Sequence, residues 1–358
     1  MLGTCHLAPS GTPCAPSPFA RCRWKGPAIQ NIPLVRTSSI RPVIDYLDRA
    51  GIRPSRSLEQ ARTLLHDPRL LIPVGYAGSL FEEAQDAAAT EAFGLRAGGA
   101  AKVMELGEWG TVLRQVVTVA ATLRAFVTAA PRFNSGQHFR AVRIGSDVWL
   151  SVRLSPRVTH GRAIAAQFQL MLVLQAIRLA AGPDWRPNEI HLEGPPPPHA
   201  EELAALAAKQ IFFHRPCTTL VFPVETLALR YPKFPPRVPA VAGPVPAAEF
   251  ENACRQIVET LLRLGAAELP SAAEMARMSE RSLQRGLAAR GYTFKRLVEE
   301  VRFEAAVRML GDSDAKIVEI AAELGYTDSA NFTRAFRRWS GVAPRAFRRS
   351  AEDRPSVP

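Results

Sequence analysis

Six of the fifteen residues from Pro232 to Pro246 are proline. Proline has no backbone N–H to donate and a fixed φ, so this stretch enters neither a helix interior nor a central strand. It extends instead as a semi-rigid spacer. The chain on its two sides must therefore bury apolar residues separately. A length of 358 residues suits two bodies at the usual ~150 residues each, and 47% hydrophobic residues supply a core for both. The expected division is a disordered tail over 1–29, an α+β domain over 30–231, a linker over 232–248, a helical domain over 249–350 and a tail over 351–358. The shorter run Pro195 to Pro198 falls between predicted elements and reads as a loop.

Residues 1–29 are rich in Pro, Ser, Gly, Cys and Arg and show no periodicity. From Ile32 the pattern becomes globular. Ile40, Val43, Ile44 and Leu47 predict a helix stopped by Gly51. Further helices are predicted over Ser57–Leu65, Ser79–Phe93 and Gly110–Ala129. Then the period changes from helical to alternating. His138–Ile144 and Asp147–Leu154 read as strands, with Gly145-Ser146 between them as a hairpin turn. A long helix is predicted over Arg162–Ala181, strands over Glu189–Leu192 and Thr219–Phe222, and a helix over His199–Lys209. This half is thus an α+β domain with an antiparallel sheet.

Beyond the linker the periodicity is helical throughout. Phe250–Leu264 predicts an amphipathic helix. A second starts near Leu269-Pro270-Ser271, with Ser271 and Glu274 spaced as a capping box. Ser279 opens a third, and Phe294–Leu310 a long fourth closed by Gly311. The third turns Leu283 and Leu287 inward and Arg281, Ser282, Gln284 and Arg285 outward. Near the end, Ile317, Ile320, Ala321 and Leu324 recur at helical spacing, and Gly325 breaks the run. Asp328 or Ser329 caps the next helix. That helix carries Phe332, Ala335, Phe336 and Trp339 on one face and Asn331, Arg334, Arg337 and Arg338 on the others. Helix, tight turn, then a helix with one apolar and one basic face is the plan of a helix-turn-helix.

Gly325-Tyr326, Asn331-Phe332, Ala335-Phe336-Arg337-Arg338 and Gly341-x-x-Pro344 resemble the C-terminal signature of AraC/XylS-type transcription regulators. The resemblance reaches back to about Ile257. Ala92-Phe93-Gly94-Leu95-Arg96, Gly182-Pro183-Asp184-Trp185 and the run Phe212 to Phe222 resemble, more diffusely, the arabinose-binding-type domain that precedes this module in the family. The implied fold is an N-terminal α+β sensor or dimerisation domain followed by an all-α double helix-turn-helix. The implied function is a sequence-specific DNA-binding regulator, more often an activator, responding to a small-molecule effector. Implied partners are double-stranded DNA, RNA polymerase, an effector and a second copy of the chain. No cofactor, metal or membrane is expected, and the place of work is the cytoplasm.

The chemistry needed is base reading and phosphate anchoring. Arginine makes bidentate bonds to guanine, and Gln or Asn to adenine. Hydroxyls and further arginines reach phosphates. Arg281, Ser282, Gln284 and Arg285 are the expected contact residues of the first unit, and Ser329, Asn331, Thr333 and Arg334 those of the second. Arg337, Arg338, Arg348 and Arg349 are expected on phosphates. From Ser329 to Arg349 there is no Asp or Glu to neutralise them. The formal charge of +12 is a weaker sign, since it suits any polyanion. The first unit departs from the family at its turn. Arg277 stands where glycine is usual, and the segment from Ser271 is about one helical turn short, which predicts a first recognition helix that is shifted or mobile.

Other functions are less well served. Cys5, Cys14, Cys22, Cys217 and Cys254 show no metal-binding spacing, and His138, His160, His191 and His214 fall on separate elements. Tyr76, Trp109, Trp149 and Trp185 read as packing rather than as an effector pocket. A DNA-repair alkyl acceptor fused to an AraC-type module is the alternative, but Pro216-Cys217-Thr218 lacks the His and Arg of that family's motif. Hydrolase, nucleotide-binding and zinc-protease motifs are absent from the sequence. The N-terminus has no continuous apolar stretch, so no signal peptide is expected.

Overall fold

The computed structural model describes residues 31–67, 70–197, 206, 208–234, 249–312 and 315–352. The tail over 1–29, the helix expected from His199 and the linker from residue 235 lie outside the described residues. The chain divides into two compact units, one of residues 1–69 and 73–248, the other of 249–358 with 70–72.

The N-terminal unit contains helices α1 Arg41–Arg49, α2 Arg56–Leu64, α3 Val74–Ala88, α4 Phe93–Ala100, α5 Gly107–Gln115, α6 Val119–Phe133 and α7 Arg162–Ala181. The strands of the chain up to residue 248 are β1 Leu34–Arg36, β2 Leu71–Pro73, whose Leu71 and Ile72 group with the other unit, β3 Gln137–Ile144, β4 Asp147–Leu154, β5 Glu189–His191, β6 Gln210–Phe212 and β7 Thr218–Pro223. Five strands form one sheet in the order β3-β4-β7-β5-β6. The predicted hairpin is present: Ile144 faces Asp147 across a two-residue loop, and Gly145 takes φ +58°. The sheet is mixed, not antiparallel throughout, because β5 pairs parallel with β6. Three residues of β6 are too few to show alternation in sequence, and the long β5–β6 connection leaves room for a parallel crossover.

Helix α7 packs on β4 and β7 and on α3 and α4. It is the one helix among the described residues long and apolar enough to cross a membrane, but its Leu170, Met171, Leu174 and Ile177 are buried in this core. The approach of α4 is backbone to backbone. A Cβ on Gly94 would lie 2.3 Å from the Ile164 carbonyl oxygen, and one on Gly98 2.8 Å from that of Phe168. Two predicted helices are corrected. The one expected over Ser79–Phe93 starts at Val74, because Gly78 serves close packing against the His160 carbonyl rather than breaking the helix. The one expected over Gly110–Ala129 splits into α5 and α6. Val116 to Thr118 run extended between them, Tyr231 N–H donates to the Val117 carbonyl at 3.0 Å, and Thr118 caps α6.

The C-terminal unit is helical: α8 Phe250–Arg263, α9 Leu269–Ala276, α10 Glu280–Ala288, α11 Phe294–Asp312, α12 Ile317–Glu323, α13 Ser329–Ser340 and α14 Pro344–Glu352. The Ser271–Glu274 capping box does not form. Glu268 is the cap residue, Pro270 occupies the first turn, and Ser271 lies inside α9. Gly311 does not close α11, which continues to Asp312. Ser279 does cap α10, accepting from the Ser282 N–H at 3.2 Å.

Gly286 is a weak helix former, by about 1 kcal/mol against alanine. Its packing reverses that expectation. A Cβ there would lie 2.4 Å from Cζ of Phe250, whose ring is 3% exposed. Gly286→Ala is therefore expected to destabilise this unit by about 1–3 kcal/mol through overpacking. Urea unfolding followed by amide exchange in α10 checks the sign, and a stabilised α10 would show that the ring yields.

Candidate nucleic-acid interface

Two helix-turn-helix units stand in the C-terminal unit, α9–α10 and α12–α13. Their turns are closed in the same way. Met278 N–H donates to the Ala273 carbonyl and Arg277 N–H to that of Glu274, both at 2.9 Å. Tyr326 N–H donates to the Ala321 carbonyl at 2.9 Å and Gly325 N–H to that of Ala322 at 3.0 Å. This pattern needs a left-handed residue. Gly325 takes φ +75°, and Arg277 takes φ +53° in the matching place. The first unit is therefore neither short nor missing its turn. Helix α9 has 8 residues against 7 in α12, since it begins two residues before Ser271. An L-residue in this region costs about 1–2 kcal/mol. Arg277→Gly is expected to stabilise the first unit by about 0.5–1 kcal/mol after the chain-entropy cost of glycine. A lower unfolding midpoint would overturn that account.

The second unit is held by a cluster of Ala306, Leu310, Ile320, Ala321, Leu324, Phe332 and Phe336, with Phe303, Tyr326, Trp339 and Phe347 packed on it. Phe332 and Phe336 of α13 are core, as their spacing predicts, and Trp339 packs on it partly buried. The opposite face of α13 is open. Arg334, Arg337 and Arg338 are exposed there.

The polar network at the head of α13 was not legible from spacing. The Asp328 carboxylate caps the helix, accepting from the Asn331 N–H at 2.6 Å and from Asn331 Nδ2 at 2.6 Å. Asn331 Oδ1 in turn accepts from Arg334 Nη2. Asn331 thus joins the cap to the arginine next along the face. Arg338 Nη2 donates to Glu299 of α11 at 3.2 Å, a partner that the acid-free stretch itself concealed. Arg337 makes no side-chain hydrogen bond among the described residues. Thr333 hydroxyl donates back to the Ser329 carbonyl at 2.7 Å, which engages it within the helix. Arg348 is not on the open face: its Nη2 donates to the Ala315 carbonyl at 2.6 Å and ties α14 to the segment before α12.

In the first unit, Leu283 and Leu287 are buried while Arg281, Gln284 and Arg285 are exposed together. Ser282 accepts from the Ser279 hydroxyl at 2.9 Å and belongs to the cap. Helix α11 contacts α8 on the side of the first unit and α12, α13 and α14 of the second. Its 19 residues make it about 28 Å long. Arg255 of α8 clamps it by pairing with Glu300 and Glu304.

The two described cysteines are both buried. Cys217 is 3% exposed, with Sγ 3.5 Å from the neutral Thr219 hydroxyl. Burial pushes the Cys254 thiol up to about 12. Among the described residues no group of three or more His, Cys, Asp or Glu is placed to hold a metal.

A helix-turn-helix family model matches residues 272–350, and the model of the N-terminal arabinose-binding domain of AraC transcription regulators matches residues 44–231. The second alone spans more than half the chain. The chain belongs to the AraC family of transcription regulators. It is 32% identical over 170 residues to the ornithine utilization regulator of Pseudomonas aeruginosa, covering 43% of this chain and 48% of that one. It is 37% identical over 99 residues to the regulator VqsM of the same organism, covering 27% and 30%. The chain thus aligns with half or less of the length of these relatives. A crystal structure of the regulator CdpR from Pseudomonas aeruginosa aligns over 87% of this chain and 98% of that one, at 18% identity and a TM-score of 0.40. The family and the matched relatives are DNA-binding transcription regulators, not enzymes.

Proposed function

We propose that the open faces of α10 and α13 are the DNA-reading surfaces and that the chain acts as an effector-responsive activator. The observation that carries the reading is the set Arg334, Arg337 and Arg338 on one exposed face of a capped helix whose other face is core. Arg334 and Asn331 then read base edges in the major groove, with Arg337 and Arg338 on phosphates. Arg281, Gln284 and Arg285 serve the first unit, while Ser282, Ser329 and Thr333 support the helix heads. Arg349 is exposed and adds a phosphate contact. Two reading helices on one connector suit successive major grooves, about 34 Å apart. The N-terminal unit senses a small molecule or dimerises, and effector binding changes how the helices are presented and so the recruitment of RNA polymerase. Such work on DNA and polymerase belongs to the cytoplasm.

Selection of genomic fragments by the full-length protein tests the reading. A motif with two contact blocks one turn apart is expected, with affinity falling steeply between 50 and 300 mM salt. A single enriched block would remove α10 from base reading. Salt-independent binding would remove the arginines from the phosphates.

A further inference from the structure

The N-terminal unit holds a cavity of about 410 Å³, which is within the ~300–1,000 Å³ of small-molecule sites. Three guanidinium groups, Arg36, Arg41 and Arg114, line it against one carboxylate, Glu105. Arg36 is only 6% exposed. Backbone carbonyls position the other two: Arg114 Nη2 donates to Met104 at 3.2 Å and Arg41 Nη2 to Leu65 at 3.0 Å. A guanidinium carries five N–H donors, so the single bonds of Arg41 and Arg114 leave most of those two forks for a ligand. Glu105 is partnered by Lys102 at 3.4 Å, and so does little to neutralise the arginines.

The wall is built for close approach. A Cβ on Gly110 would lie 2.2 Å from the Met104 carbonyl oxygen, so α5 closes directly on the turn that carries Glu105. Gln137, also lining the cavity, is 1% exposed, and its Nε2 has no hydrogen-bond partner. A buried donor left without an acceptor is costly, which an acceptor on a ligand would relieve. Trp109, Phe168 and Leu172 also line the cavity and supply an apolar surface. Trp109 is braced by an edge contact to Phe126 at 4.6 Å between ring centres.

We infer that this cavity binds a small organic anion, a carboxylate on an apolar body, with the carboxylate toward the arginines and the body against Trp109. A neutral polyol would offer Arg41 and Arg114, each held by a neutral carbonyl, no counter-charge. The inference rests on the reading of this unit as an effector sensor and gives that effector its chemical class.

Thermal unfolding of the full-length protein with straight-chain carboxylates from butyrate to decanoate, with benzoate and phenylacetate, and with the primary amide of each, is the test. Carboxylates are expected to raise the midpoint, with the amides of the same skeletons bound about tenfold more weakly or worse. Arg114→Gln is expected to weaken carboxylate binding by a similar factor, and so is Arg41→Gln, an exposed position whose replacement leaves the core untouched. DNA affinity is measured in parallel. Carboxylate binding that both variants weaken supports the site. If such binding leaves DNA affinity unchanged, the site stands and the effector reading fails. Equal shifts by acids and amides, binding that neither variant alters, or no shift from any compound overturns the anion site. A DNA response to an amide that Arg114→Gln leaves intact keeps the effector reading while removing this cavity from it.

Discussion

Phe336→Ala is expected to cost the second helix-turn-helix about 3–5 kcal/mol. The ring is fully buried and lies 5.7 Å from Phe303, 5.7 Å from Phe332 and 5.4 Å from Phe347, between ring centres. One side chain therefore joins α11, α13 and α14. Truncation leaves a void that three helices would have to collapse together, and two of them are clamped elsewhere: α11 by Arg255 and α14 by Arg348. Hydrogen exchange on the full-length protein reads the result. Amides of α12 and α13 should lose protection by about 10²–10⁴-fold while those of α9 and α10 keep theirs. Equal loss in both units would mean that they open together, and the local account would be wrong.

The second large effect is on binding. Arg334→Ala is expected to cost about 1–3 kcal/mol at the selected site and to relax the choice of base at one position, as a base-reading arginine does. Arg337→Ala should behave differently. It should weaken binding to all sequences alike and lower the salt slope by about one unit, the signature of a lost phosphate contact. Competition titrations against the selected motif and a scrambled duplex, at several salt concentrations, separate the two. Wild-type affinity and base preference in Arg334→Ala would take that residue out of the interface.

The elements legible in the sequence are those whose pattern is long or chemically marked. Helix α7 runs over the 20 residues that its apolar run predicts, and the β3–β4 hairpin has the predicted register. Phe332 and Phe336 sit in the core because i, i+4 spacing on a helix leaves them the same side. What failed to show depends on partners distant in the chain. Strand β6 exists because β5 lies beside it. The break before Thr118 is fixed by backbone bonds to the segment around Tyr231. Gly78 and Gly286 look like helix weaknesses until the groups facing them, the His160 carbonyl and the Phe250 ring, are in place. At the site the residue types were readable and their engagements were not. Arg337 and Arg348 look alike in sequence, yet one lies open and the other holds a carbonyl of the preceding loop.

If α10 and α13 read bases as proposed, helix α11 carries a consequence for how those bases must be arranged. It is a single unbroken rod of 19 residues. A rod of this kind resists twisting, so the angle between the two reading faces is a property of the protein. DNA turns by about 35° per base pair, at 10–10.5 pairs per turn. Inserting five pairs between two contact blocks would present the second block on the far side of the duplex. The rod has no way to follow it, so on that reading the phase of the site, as much as its letters, would belong to what is selected.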